Sequence, residues 1–181
     1  MVDFLSISER NLILTGYIGP NQPLLGRQIG DRLRMRLVNF EEVISERMQL
    51  PVAEIRTYYG ETRLKSIEAE LIQETALRRS TVIRVSGRTL ANGDNLERLR
   101  ETGPVICLTI NLDAMLQRLH ISMGARFHSP DERALALGDL KREWSVRQLP
   151  NVHEIDTTYI DDDTIVERVV ALWQELALER G

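Results

Sequence analysis

Short apolar runs alternate along this chain with longer stretches whose apolar residues recur every three or four positions. The short runs predict five strands, at Asn11–Gly16, Arg36–Phe40, Ser80–Ser86, Val105–Ile110 and Val152–Thr158. Leu25, Ile29 and Leu33 give a helical spacing to Leu24–Met35, and Leu64, Ile67, Leu71 and Ala76 line one face of Thr62–Arg78. Further helices are expected over Glu41–Met48, from Pro51 through Tyr58, and over Asp94–Glu101, Asp113–Leu119, Glu132–Gln148 and Asp161–Glu179. The last opens on Asp161-Asp162-Asp163, acids that suit the positive end of a helix dipole. Ile121–Pro130, punctuated by Gly124 and Pro130, reads as a mobile loop. Strand–helix units repeated in this way predict an α/β fold, with a five-stranded parallel sheet flanked by helices on both faces. Residues 1–10 read as an N-terminal extension and 11–181 as one domain, with no internal repeat.

Composition narrows the function classes. A net charge of −4 over 181 residues argues against a nucleic-acid partner. No stretch has the length and apolarity of a membrane span, and Met1–Arg10 lacks a signal peptide's basic start and apolar core. Cys107 is the only cysteine and lies inside an apolar run, which reads as a core thiol. Both points suit a cytoplasmic protein. His120, His128 and His153 lack metal-ligand spacing.

The chemistry-bearing segment is the turn between the first strand and the first helix. A phosphate-binding loop in that position reads G-x-x-x-x-G-K-[ST]. Gly16 opens the turn and Gly19 lies inside it, but the last three places are Asn21, Gln22 and Pro23. Gln22 cannot supply the lysine's charge to the phosphates, and Pro23 has no hydroxyl for Mg²⁺. Pro20 and Pro23 have no N–H to offer an anion. Pro23 still suits the first turn of a helix, so strand, turn and helix can form without the phosphate site. The chain has two lysines, Lys65 and Lys141, and neither is near the loop in sequence.

With this loop, the Val38-Asn39-Phe40-Glu41-Glu42 segment and the Gly60-Glu61-x-x-Leu64-Lys65-x-x-Glu68 segment, residues 11 to 176 resemble the shikimate kinases. The resemblance implies a fold like that of the P-loop nucleoside-monophosphate kinases and shikimate kinases. Substrate-binding helices would lie at about 41–78 and a lid at about 120–133. In that family an Asp-x-Asp motif ends the second strand, one aspartate assisting the metal and the other holding shikimate hydroxyls; here the places are Asn39 and Glu41. The arginine that pairs with the shikimate carboxylate is replaced by Lys65, which keeps the charge without the bidentate fork. Three glycines that contact substrate become Ser86-Gly87-Arg88, so Gly87 survives and Arg88 would intrude on the pocket. Arg118 or Arg126 would match the lid arginine, and Arg142 a further one that follows it.

These departures predict a family member without kinase activity, a binding or regulatory protein for a small anionic ligand or a partner protein. The alternative is a kinase of shikimate or a related hydroxylated acid, using ATP and Mg²⁺ through a rearranged phosphate site, with Glu41 as proton acceptor and Lys65, Arg84 or Arg88 as anion ligands. Read without the resemblance, Glu41 and Glu42 are equally first-turn helix acids, Lys65 a solvated helix residue, and Arg88 a turn residue beside Asn92-Gly93. Arg84, if buried, needs an acidic partner. Tyr58-Tyr59 either line the cleft or close a helix end.

Overall fold

A computed structural model describes residues 6–16 and 22–179; of Gln22 and Pro23 it describes the backbone alone. Five strands form one parallel sheet in the order β2-β3-β1-β4-β5, with β1 Leu12–Gly16, β2 Arg36–Asn39, β3 Thr81–Arg84, β4 Val105–Thr109 and β5 Val152–Asp156. The expected strands are all present, each trimmed at one or both ends.

Side chains alternate between the two faces, as a period of two requires. Leu12, Leu14, Val82, Ile106 and Leu108 point to one face. There α1 (Gln22–Leu33) and α9 (Asp162–Glu179) cover them with Leu25, Ile29, Val166, Val169 and Trp173. Ile13, Ile83, Val105 and Cys107 point to the other. They pack on Phe40 and Ile44 of α2 (Phe40–Met48), Ile55 of α3 (Val52–Tyr59), Leu64, Ile67 and Leu71 of α4 (Glu61–Thr75), Leu90 of α5 (Gly87–Leu90) and Leu96 and Leu99 of α6 (Asn95–Arg100). Burial on both faces is why these strands read as near-continuous apolar runs.

Asn11 ties the amino edge of the sheet together. It is fully buried; its amide donates to the Arg78 carbonyl at 2.9 Å and to Thr102 Oγ1 at 3.1 Å, and accepts from the Thr81 N–H at 3.0 Å. The Trp173 indole donates to the Asn11 carbonyl at 3.0 Å, joining α9 to the same point.

Two segments differ from the sequence reading. Residues 121–130 do not form a loop: α7 (Leu112–Met123) runs on, a 3₁₀ helix covers Gly124–His128, and α8 (Pro130–Trp144) starts at once. Their apolar residues find a small core of their own, where Met123, Phe127, Ala136 and Trp144 pack against Ile110, Met115, Leu119 and Leu140. Phe127 is further held between the His120 ring, stacked at 4.3 Å, and the Arg133 guanidinium, 5.6 Å from its centroid. Residues 87–90 form the single helical turn α5 and not a plain turn, because Ser86 Oγ caps it by accepting the Thr89 N–H at 3.1 Å.

Candidate functional site

The carboxyl ends of the strands, where ligands bind in sheets of this kind, carry most of the unusual residues. β1 ends on Gly16, whose φ is +101°; a Cβ there would sit 2.1 Å from the Leu108 carbonyl oxygen of β4. β2 ends on Asn39 and β3 on Arg84, which are paired in register. The Asn39 amide links two charges: its nitrogen donates to Glu42 Oε1 at 3.3 Å, and its oxygen accepts from Arg84 at 3.5 Å. Beyond β3, α5 lies directly under α8. Gly87 permits this, since a Cβ would stand 2.1 Å from the Glu143 carbonyl oxygen. The Gly87 N–H donates to the Glu143 carboxylate at 2.8 Å.

Two clefts open here, with Arg88 on the wall of both. The inner, about 600 Å³, is lined by Asn39, Glu41, Glu42, Arg56, Ser86, Thr89, Glu68, Asp139 and Glu143 among others. The outer, about 670 Å³, lies between α4, α5 and α8 and is lined by Glu61, Lys65, Asn92, Lys141, Arg142 and Ser145. Arg88 bridges the helices that flank them: its guanidinium is 2.9 Å from Glu61 on α4 and 3.6 Å from Asp139 on α8. Glu61 also takes Arg56 at 2.9 Å. Burial pushes the Glu61 carboxyl up, but Arg88 and Arg56 together outweigh it and hold it below its ordinary value.

The inner cleft has the opposite electrostatics. Burial raises the Glu143 carboxyl and outweighs the backbone N–H groups of Gly87 and Arg88; nearby Glu41 adds to the rise. Glu68, almost wholly enclosed, is raised by burial too, against a hydrogen bond from Thr89 Oγ1 at 3.2 Å. Burial pulls Arg84 below its ordinary range, opposed by Glu41, Glu143 and Glu42, and the guanidinium stays charged at any working pH. Arg84 thus meets acids, as its burial demands. Cys107 is buried between the sheet and its helices; burial pushes its thiol up to about 12, so it offers no thiolate at neutral pH.

The residues singled out in the sequence divide among these places. Asn39 and Glu41 line the inner cleft, Lys65 and Arg142 the outer, and Arg88 both, while Gly87 contributes backbone. Arg118 on α7 and Arg126 in the 3₁₀ turn line neither. Gly19 and Asn21 lie outside the described residues, as do the side chains of Gln22 and Pro23, which begin α1. Tyr58 and Tyr59 are exposed at the end of α3 and line neither cleft. Glu143 faces the inner cleft where Arg142, its neighbour, turns out to Asp139 at 2.8 Å. Nothing local in the sequence marks Glu143. Glu68 had a signal: an acid within the apolar stripe Leu64, Ile67, Leu71 must find a buried partner. Among the described residues, no group of three or more His, Cys, Asp or Glu side chains is placed to hold a metal ion, and no helix is long and apolar enough to cross a membrane.

A five-stranded parallel sheet in this order, with a cleft at its carboxyl edge between α2–α4 and α8, is the architecture of the P-loop small-molecule kinases. The sequence model of the shikimate kinase family matches residues 24–174, and the chain belongs to that family. A shikimate kinase of Thermodesulfovibrio yellowstonii is 23% identical over 175 residues, covering 93% of this chain and 97% of the relative. The crystal structure of shikimate kinase from Bacteroides thetaiotaomicron superposes with a TM-score of 0.73 at 24% identity, over 94% of this chain and 98% of that one. Shikimate kinase from Acinetobacter baumannii in complex with shikimate gives 0.74 at 19% identity, over 93% and 94% of the two chains.

Proposed function

We propose that this chain is a shikimate-kinase-family protein that has given up phosphoryl transfer and serves as a cytoplasmic binding or regulatory protein, its single domain spanning 11–181. The observation that carries the reading is the phosphate loop, where Gln22 and Pro23 replace the lysine and the Mg²⁺-binding hydroxyl. Phosphoryl transfer is mostly positioning and charge stabilisation, and losing one electrostatic donor costs roughly 10²–10³ in rate. The two arginines nearest the end of β3 are already engaged. Arg84 stands among Glu41, Glu42 and Glu143, and Arg88 is engaged by Glu61 and Asp139. The residues present therefore do not fit Mg²⁺·ATP in the usual manner.

The test is the melting temperature with and without Mg²⁺·ATP, with shikimate added in a second series. Nucleotide at about 100 times its dissociation constant would stabilise by about 2.7 kcal/mol, a shift of about 5–10 °C for a domain of this size. No shift is expected for the natural sequence. The triple variant Asn21→Gly, Gln22→Lys, Pro23→Ser should regain nucleotide affinity. ATP consumption by the natural sequence, dependent on Mg²⁺ and on shikimate or a similar acid, would instead establish the kinase with a rearranged site, with Glu41 in the inner cleft as its proton acceptor.

A further inference from the structure

We infer that the amino edge of the sheet, at the end opposite the clefts, is a docking surface for an acidic segment of a partner protein. It is built from Arg34 and Arg36 on one turn and Leu77, Arg78 and Arg79 on the next. The inference goes beyond the reading above and stands on this surface alone, whatever the clefts bind.

The charge of the chain is unevenly spread. The net charge is −4, yet residues 27–36 hold Arg27, Arg32, Arg34 and Arg36 against one acid, Asp31. All four arginines are exposed. The turn from α1 into β2 brings Arg34 and Arg36 to the amino edge. The turn from α4 into β3 brings Leu77, Arg78 and Arg79 there, all exposed, with Leu77 at 76%. The two turns are neighbours because β2 and β3 pair in parallel from their first residues, with Arg36 opposite Thr81, strands roughly 5 Å apart. Main-chain acceptors fix the second turn: the Arg78 carbonyl accepts from the Asn11 amide at 2.9 Å, and the Arg79 carbonyl from Thr81 Oγ1 at 2.9 Å. Seven arginines elsewhere hold a carboxylate at 2.6–2.9 Å. Arg34, Arg36 and Arg78 have no ion pair or side-chain hydrogen bond among the described residues, and Arg79 reaches only the carbonyls of Ala76 and Arg78, at 2.9 and 2.8 Å. The acids nearby are occupied or few. Glu74, with Glu70 beside it, takes Arg47 at 2.6 Å, and Glu9 turns back on the Ser6 hydroxyl at 2.9 Å, which leaves Asp31. A guanidinium fork matches a carboxylate two bonds at a time, and arginines spent on no internal acid are open to one from outside. Nucleic acid fits this surface less well. The two turns carry no aromatic ring for a base to stack on, the chain as a whole is anionic, and Leu77 offers an apolar contact that a phosphate backbone does not use.

The probe is a fluorescein-labelled peptide, Glu-Glu-Glu-Leu-Glu-Glu-Glu, titrated with the full chain and read by anisotropy at about 50 mM salt, where exposed charges are weakly screened. Saturable binding is expected. It should fade as salt rises to about 0.5 M, and be absent for the same peptide with glutamine in place of glutamate. The double variant Arg34→Glu, Arg36→Glu should weaken it by about tenfold or more, with a melting temperature little changed because both side chains are exposed. Arg78→Glu, on the neighbouring turn, should weaken it independently. The double variant Arg63→Glu, Arg168→Glu makes the same change in net charge at exposed residues in the first turn of α4 and on α9, and should bind within about twofold of the natural sequence. An equal loss in that control would mean that overall charge alone attracts the peptide, and overturns the inference, as does the absence of saturable binding up to about 1 mM. Tighter binding of a single-stranded thymidine oligonucleotide than of the peptide, lost in the Arg34 and Arg36 variant, would assign the surface to nucleic acid and overturns it too. ATP turnover by the natural sequence would overturn the proposed function instead, and has no bearing on this titration.

Discussion

Gly16→Ala separates two reasons for keeping a glycine at the carboxyl end of β1. Position 16 has a φ of +101°, outside the regions open to residues with a side chain. Holding a non-glycine residue in such a region costs about 1–3 kcal/mol. The added Cβ would also sit 2.1 Å from the Leu108 carbonyl oxygen, where real Cβ contacts stay above 3.0 Å. Relieving it moves β1 away from β4 by roughly 1 Å in a close-packed interior, straining a pairing that runs from Ile13–Val105 to Gly16–Leu108. One or two weakened ladder bonds add about 0.5–1.5 kcal/mol each, so the total is about 1.5–6 kcal/mol. Gly60→Ala is the control: φ there is +82°, but nothing lies within 4 Å of the added Cβ, so only the conformational part, about 1–3 kcal/mol, remains. Urea unfolding of both variants reads the difference directly. If Gly16→Ala is no more destabilising than Gly60→Ala, the contact with β4 does not hold Gly16, and its retention must be explained by what the loop binds.

Glu143→Gln should stabilise the protein at pH 7. The folded carboxyl titrates above its ordinary value of 4.5 because burial disfavours its charge; the folded state then holds its proton more tightly than the unfolded chain, and stability falls as pH rises above that value. The gain of the glutamine variant should vanish near pH 4, where both forms are neutral, as followed by melting temperature against pH; a gain independent of pH would refute the titration. Asn11→Ala removes three hydrogen bonds, two of them buried, and leaves the Thr81 N–H and Arg78 carbonyl without that partner. The expected loss is about 3–5 kcal/mol by urea unfolding, and a loss under about 1 kcal/mol would mean that water or a shifted backbone replaces the amide.

The apolar runs and helical spacings of this chain determine its class. Strands buried on both faces have no polar alternation, so each of the five stands out as a run, and the intervening stretches have room only for helical crossovers. That Gln22 and Pro23 stand at the start of α1, with neither a lysine nor a hydroxyl, is equally a matter of sequence. Local pattern did not carry the helical course of residues 121–130, which depends on Phe127 meeting His120 and Arg133. Nor did it carry the separation of the two clefts. Lys65 and Lys141 lie 76 positions apart, Arg88 meets Glu61 and Asp139 from two other helices, and Glu143 turns inward while Arg142 turns out. Charge falls off with distance in space, and only the packing of α4, α5 and α8 sets those distances.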